Sequence, residues 1–237
     1  MKASINKNRE HAYVLRMENI KAIWDLLQNR IGNTIIIVKC LDDIEREYDT
    51  WKQFSSFENP PNKTIKHLII KSRSDDYKKS AKIEFSDSMH RIIDINIDAT
   101  EQVVSRLYDD ISDIMDGIKP WYAGLTKIDF FDIFGIIFIP SFIILFAYAK
   151  SLPEKVQSNP STFQDILLLI SIIIMFFILL GLIVISLNKF RERYFPLAYF
   201  AIGQGEQRFN LDEKIRWSVI VAFFVSISTS FVFWFIG

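Results

Sequence analysis

Cysteine is nearly absent, with one residue among 237, so no intramolecular disulfide can form and the disulfide-built secreted domains are excluded. Net charge is also missing. The 28 Lys plus Arg are cancelled by 28 Asp plus Glu, which removes the basic excess of a nucleic-acid binder, and no direct nucleic-acid binding is expected. Catalytic signatures are lacking too: there is no GxSxG, GxxxxGK[ST], HExxH or CxxC. His11, His67 and His90 have no metal-ligand spacing. No catalytic residue, metal or cofactor is therefore assigned, although missing signatures do not exclude a site built from Asp, Lys, Tyr and Ser. The first residues, MKASINKNREHAYV, have no apolar core of signal-peptide length, so export of the N-terminal region is not expected.

What the chain has in abundance is apolar surface, with 50% hydrophobic and 14% aromatic residues. Charges crowd residues 1–129 and thin out afterwards. Three later stretches are free of charge: 133–149, which with Phe130 and Phe131 reaches about 20 residues, 166–187 and 217–236. Trp217 and Trp234 stand near the ends of the last. The reading is an α+β cytosolic domain, an antiparallel sheet with amphipathic helices, over residues 1–119. A membrane-interface elbow follows at 120–129, then an all-α bundle of three transmembrane helices over 130–237. Lys150 and Lys155 are outnumbered by Lys189, Arg191, Arg193, Arg208, Lys214 and Arg216. That bias puts the 188–216 loop and the N-terminal domain inside, and Gly237 outside. If 130–149 were a re-entrant or core helix, two crossings would leave the C-terminus inside.

In the first domain, Ile20, Ile23, Trp24, Leu27 and Ile31 recur at helical spacing and predict a helix over 18–31. TIIIVK at 34–39 reads as a buried strand. Ile44, Tyr48 and Trp51 suggest a second short helix before the Asn59-Pro60-Pro61-Asn62 break. Strands are expected at 64–71, 81–85 and 91–97. Val104, Leu107, Ile111, Ile114 and Ile118 define one apolar stripe of a helix over 100–118, with Thr100 or Asp98 as its N-cap.

The loop SRSDDYKKS at 72–80 presents Arg73, Tyr77, Lys78 and Lys79, groups able to grip a phosphate and stack on a ring. Its plainer reading is a solvated hairpin loop. Asp109, Asp113 and Asp116 share a helix face, which as carboxylates on one helix reads as solvated surface. Trp121 and Tyr122 lie in the elbow and, with Arg191, Arg193, Trp217 and Trp234, are membrane-interface candidates. Ser218, Ala222, Ser226 and Ser230 recur every fourth residue, a spacing that lets helices approach closely within one chain or between chains. Pro140 falls near the centre of the first apolar stretch and suits a kink.

The segment YFPLAYFAIGQGEQRF at 194–209 mixes aromatic residues with Gly203 and Gly205 and is flanked by arginines, which suits the headgroup layer and anionic lipid. FPLAYFAIGQGEQRF followed by LDEKIRW and a Ser-rich final span resembles the C-terminal ends of uncharacterised bacterial inner-membrane proteins over about residues 194–230. That resemblance implies a bacterial inner-membrane module. At the level of architecture the chain is similar to membrane effectors of bacterial antiphage systems. This similarity implies an oligomer whose head senses a nucleotide signal or a cytosolic protein partner and whose helices alter membrane permeability. The rival reading is an anchor or accessory subunit that recruits a cytosolic partner. An enzyme acting on lipid headgroups at the 188–216 loop is a third class.

Overall fold

In the computed structural model, residues 2–87, 92–151 and 163–236 are described. They divide into two compact units, Met1–Thr126 with Pro196–Gly237, and Lys127–Phe195.

The first unit is built on a six-stranded sheet of order β1-β7-β6-β5-β3-β4, antiparallel throughout. Its strands are β1 (Lys2–Arg9), β3 (Asn33–Cys40), β4 (Glu45–Tyr48), β5 (Ile65–Arg73), β6 (Ser80–Ser86) and β7 (Ile93–Thr100). Alternation decides the faces. Ile36, Val38, Leu68, Ile70, Ala81, Ile83, Phe85, Ile93, Ile95 and Ile97 are buried on one side. Helices α1 (Met17–Arg30) and α3 (Glu101–Gly117) cover that side with Ile20, Ile23, Trp24, Leu27, Val104, Leu107, Ile111 and Met115. The nine larger of these sheet side chains, all but Ala81, contribute roughly 20 kcal/mol before the entropy of folding is charged against them. The opposite face is polar along β1, β7 and β6 and carries Ile35, Ile37 and Ile69 on β3 and β5.

The α+β domain with its antiparallel sheet is present, with three local differences. Residues 45–48 form an edge strand where a helix was expected, because Glu45 and Glu47 alternate with Arg46 and Tyr48 and pair with Val38 and its neighbours; the helix, α2, begins only at Trp51 and ends at Ser55. Thr100 precedes α3 but makes no side-chain cap hydrogen bond. The strand expected at 91–97 runs Ile93–Thr100; Arg91, with His90, lies outside the described residues.

A second sheet joins distant parts of the chain. Strand β2 (Tyr13–Arg16) pairs in parallel with β8 (Ala198–Ala201), so residues 196–216, read from sequence as an interfacial loop, are threaded into the head. Helix α6 (Gln204–Ile236) leaves from there.

In the second unit, α4 (Phe130–Ser151, containing Pro140) packs against α5 (Phe163–Tyr194), with the Phe138 and Phe177 rings 4.7 Å apart. Asn188 accepts from the Phe130 N–H at 3.1 Å and donates to Asp129 at 3.0 Å. Buried Arg191 donates to the Ile128 carbonyl.

The expected bundle of three transmembrane helices is corrected by these helices. Among the described residues, one helix, Gln204–Trp234, is long and apolar enough to cross a membrane. An uncharged stretch records apolarity and does not by itself fix a span. The multi-pass topology falls with the bundle, and so does the placement of Gly237 outside by counting three crossings; Gly237 itself is outside the described residues.

Candidate functional site

Two places in the first unit concentrate side chains that the core does not require. The first lies on the open face of the sheet. In antiparallel pairs, residues directly opposite share a face, so the register writes out the rows of this surface. One row reads Ser4, Asp98, Ser80, Arg73, Asn33, and the next Asn6, Asn96, Lys82, Lys71, Ile35. These rows and the 74–79 loop enclose a hollow of about 920 Å³. Tyr77 overhangs it, 77% exposed, with the Arg73 guanidinium 5.5 Å from its ring centroid.

The loop holding Tyr77 is braced from within. Ser74 N–H donates to the Lys79 carbonyl at 3.0 Å, Tyr77 N–H to the Ser74 carbonyl at 3.0 Å, and Lys79 N–H to the Ser74 hydroxyl at 3.0 Å. The Ser74 hydroxyl also donates to Asp76 at 2.7 Å, which with the Lys78 N–H holds the Asp76 carboxyl below its ordinary pKa. Asn33 Nδ2 reaches Asp75 at 2.8 Å, tying the loop to β3. Tyr77 adopts φ 58°, a left-handed conformation that turns its ring outward.

Of the loop candidates, Arg73 and Tyr77 line the hollow, while Lys78 pairs with Asp76 at 3.5 Å and neither it nor Lys79 is among the lining residues. The sequence reading missed Lys71 and Lys82, which sit directly opposite one another on adjacent strands. Like charges so placed repel. The Lys82 ammonium is drawn toward Glu84, whose carboxyl burial would push up but which the Lys82 and His67 contacts hold below its ordinary pKa.

The second place is the root of α6. Arg216 is fully buried, its guanidinium 4.7 Å from the Tyr122 ring centroid and 5.1 Å from that of Phe209. Its Nε donates to Glu213 at 2.9 Å, and Glu213 also accepts from Trp121 Nε1 at 2.9 Å and Trp217 Nε1 at 3.2 Å. The Trp121 and Trp217 rings lie 5.5 Å apart. Buried Asn59 donates to the Phe200 carbonyl at 3.0 Å and accepts from the Ile65 N–H at 3.0 Å, while Arg208 donates to the Asn59 carbonyl at 2.9 Å.

Of the interface candidates, Trp121 is half exposed, Tyr122 is buried beneath Arg216, and Trp234 is 76% exposed. Arg193 lies 5.7 Å from the Tyr194 ring centroid. The Ser218, Ala222, Ser226, Ser230 row is exposed, and each of its hydroxyls donates to the carbonyl four residues earlier at 2.8 to 2.9 Å. Asp109 and Asp113 are exposed, and Asp116 accepts from Arg9 Nη1 at 2.6 Å. No group of three or more His, Cys, Asp or Glu able to hold a metal occurs among the described residues. No family model matches the chain, and no curated protein or solved structure matches it.

Proposed function

We propose that the protein is a membrane-tethered recognition module, in which the α+β head binds a soluble ligand or partner and α6 fixes it to the bilayer. The observation carrying this reading is the abrupt change along one helix. Up to Arg216, α6 is clamped into the head; from Trp217 onward it is exposed and apolar all round, with Phe223, Phe224, Val225, Phe231 and Phe233 between 58% and 74% exposed. A helix hydrophobic on every side asks for lipid or a protein interior. Here none of the span's most apolar window is buried. From Trp217 to Trp234 the helix measures about 27 Å, close to the hydrocarbon thickness, with indoles at both ends. Arg208, Lys214 and Arg216 precede the span and favour a cytoplasmic head, in keeping with an inner membrane.

The test is depth measurement on the reconstituted full chain. A Cys40→Ser background with Val225→Cys carries one spin label. Quenching by oxygen and protection from a water-soluble nickel complex are expected, whereas full access for the nickel complex rejects the tether.

A further inference from the structure

We propose that the hollow on the open sheet face binds a soluble anion bearing phosphate groups and a flat ring, a nucleotide in chemical class. The inference rests on reading the head as a recognition module and assigns its ligand. Three cations meet there. Lys71 and Lys82 are directly opposite on β5 and β6, and Arg73 lies two residues along the same face from Lys71. Lys82 is paired with Glu84, but among the described residues neither Lys71 nor Arg73 has a carboxylate partner, so these two charges are left for a bound anion to meet. The ring half of the ligand is met by Tyr77, which is held outward by a braced loop with its face beside Arg73. An aromatic ring kept in water by a loop with six internal or adjacent hydrogen bonds gains nothing for folding; it is placed for a stacking partner. Asn96, in the row beside Lys82, donates one amide N–H to Asp94 at 3.0 Å and keeps its second N–H and its carbonyl oxygen to read a polar ring edge. The volume of about 920 Å³ falls in the range of small-molecule sites.

Phosphate could also come from a lipid headgroup, and the sheet decides between the sources. Arg73, Ser80 and Asp98 lie at the Thr100 end of β7. Arg9, paired with Ile93 at the other end, reaches Asp116 near the close of α3, from which the chain passes to Ile118, bonded to Val14 of the β2–β8 pair. The Arg73, Ser80, Asp98 row is thus five residues along β7 from Ile93, roughly 17 Å at 3.4 Å per residue, with the root of α6 toward the Ile93 end. A ligand reaching the hollow comes from the water, away from the tether.

The experiment places the full chain in nanodiscs of phosphatidylcholine, or of phosphatidylcholine with phosphatidylglycerol, and measures binding of ATP, GTP and pyrophosphate by calorimetry. At least one nucleotide should bind, equally in both discs, and should weaken at least tenfold in Lys71→Glu with Arg73→Glu. Tyr77→Ala should weaken the nucleotide and leave pyrophosphate unchanged. These side chains are exposed, so an unaltered melting temperature shows that the variants fold. Absence of binding by all three probes, or equal binding in the charge-reversed variant, overturns the site. Loss of nucleotide binding in the phosphatidylglycerol discs overturns the soluble source in favour of a headgroup. Incorporation into discs is scored separately: a chain that incorporates without binding sinks the ligand site and spares the tether, and one that binds without incorporating does the reverse.

Discussion

The Arg216 guanidinium lies 4.7 Å from the ring centroid of Tyr122, joining the helix that leaves the head to the segment that closes α3. A fully buried cation is tolerated because Glu213 and two aromatic faces replace its water. Replacing it with Ala removes the stack and leaves Glu213 with two indole donors and no counter-charge. Arg216→Ala should cost about 3 kcal/mol, read as a lower melting temperature of the head. Because Trp121 and Trp217 are both bonded to Glu213, the variant should also shift the tryptophan emission. Lys at this position keeps the charge but loses the planar stack, so Arg216→Lys should fall between.

Alkaline pH should loosen the same joint. Burial pushes the Tyr122 hydroxyl up to about 12, against the pull of the nearby Arg216 charge, with Glu213 and Asp212 adding to the rise. The unfolded phenol loses its proton near 10, so the folded state holds the proton more tightly. The contribution is fully present below pH 10 and is lost as pH rises toward 12; its upper size is about 3 kcal/mol. The fall in melting temperature between pH 10 and 12 should be shallower in Tyr122→Phe. An identical fall in both proteins removes Tyr122 as its cause.

Gly203 and Gly205 should be intolerant of even a methyl group. A Cβ on Gly203 would lie 2.5 Å from the Glu58 carbonyl oxygen, and the residue has φ 51°; a Cβ on Gly205 would lie 2.4 Å from the Phe200 carbonyl oxygen. Both obstacles are backbone, which cannot swing away. Gly203→Ala and Gly205→Ala should each destabilise the head by about 2 to 4 kcal/mol in urea titration, while Gly124→Ala, whose Cβ meets nothing within 4 Å, should be silent.

The sheet and its two covering helices were legible because their apolar residues keep periods of two and 3.6, as Ile93, Ile95 and Ile97 or Val104, Leu107 and Ile111 do. Strand β1 carries no such signal: it is an edge strand whose only large aliphatic residue is Ile5. Strand β8 is four residues long and takes its partner from 185 positions away, Tyr13 pairing with Ala198, which no local pattern announces. Arg73 and Tyr77 could be picked out because they share a loop. Lys71 and Lys82 could not, since their adjacency is created by register. The glycines of FAIGQGEQRF were visible, but their use as a backbone seat beside Glu58 and Phe200 was not. Hydropathy placed the last apolar helix but counted three spans where, among the described residues, one helix is long and apolar enough to cross, because absence of charge alone does not define a span.

The exposed row Ser218, Ala222, Ser226, Ser230 supplies the last expectation. Its hydroxyls already donate along their own helix, so any association through this face must come from close approach of backbones, helped by the oxygen lone pairs that remain. Leucine at Ala222 and Ser226 would hold a second helix away, and crosslinking of the full chain in nanodiscs or detergent should shift from multimers to single chains. With a single span, a change in membrane permeability requires several copies to assemble, so dye uptake on expression should vanish in the same double variant if the protein acts as an effector. Unchanged crosslinking rejects the face as a contact between chains. Assembly lost without any dye uptake in the parent leaves a clustered tether, which brings several ligand-binding heads together at one patch of membrane.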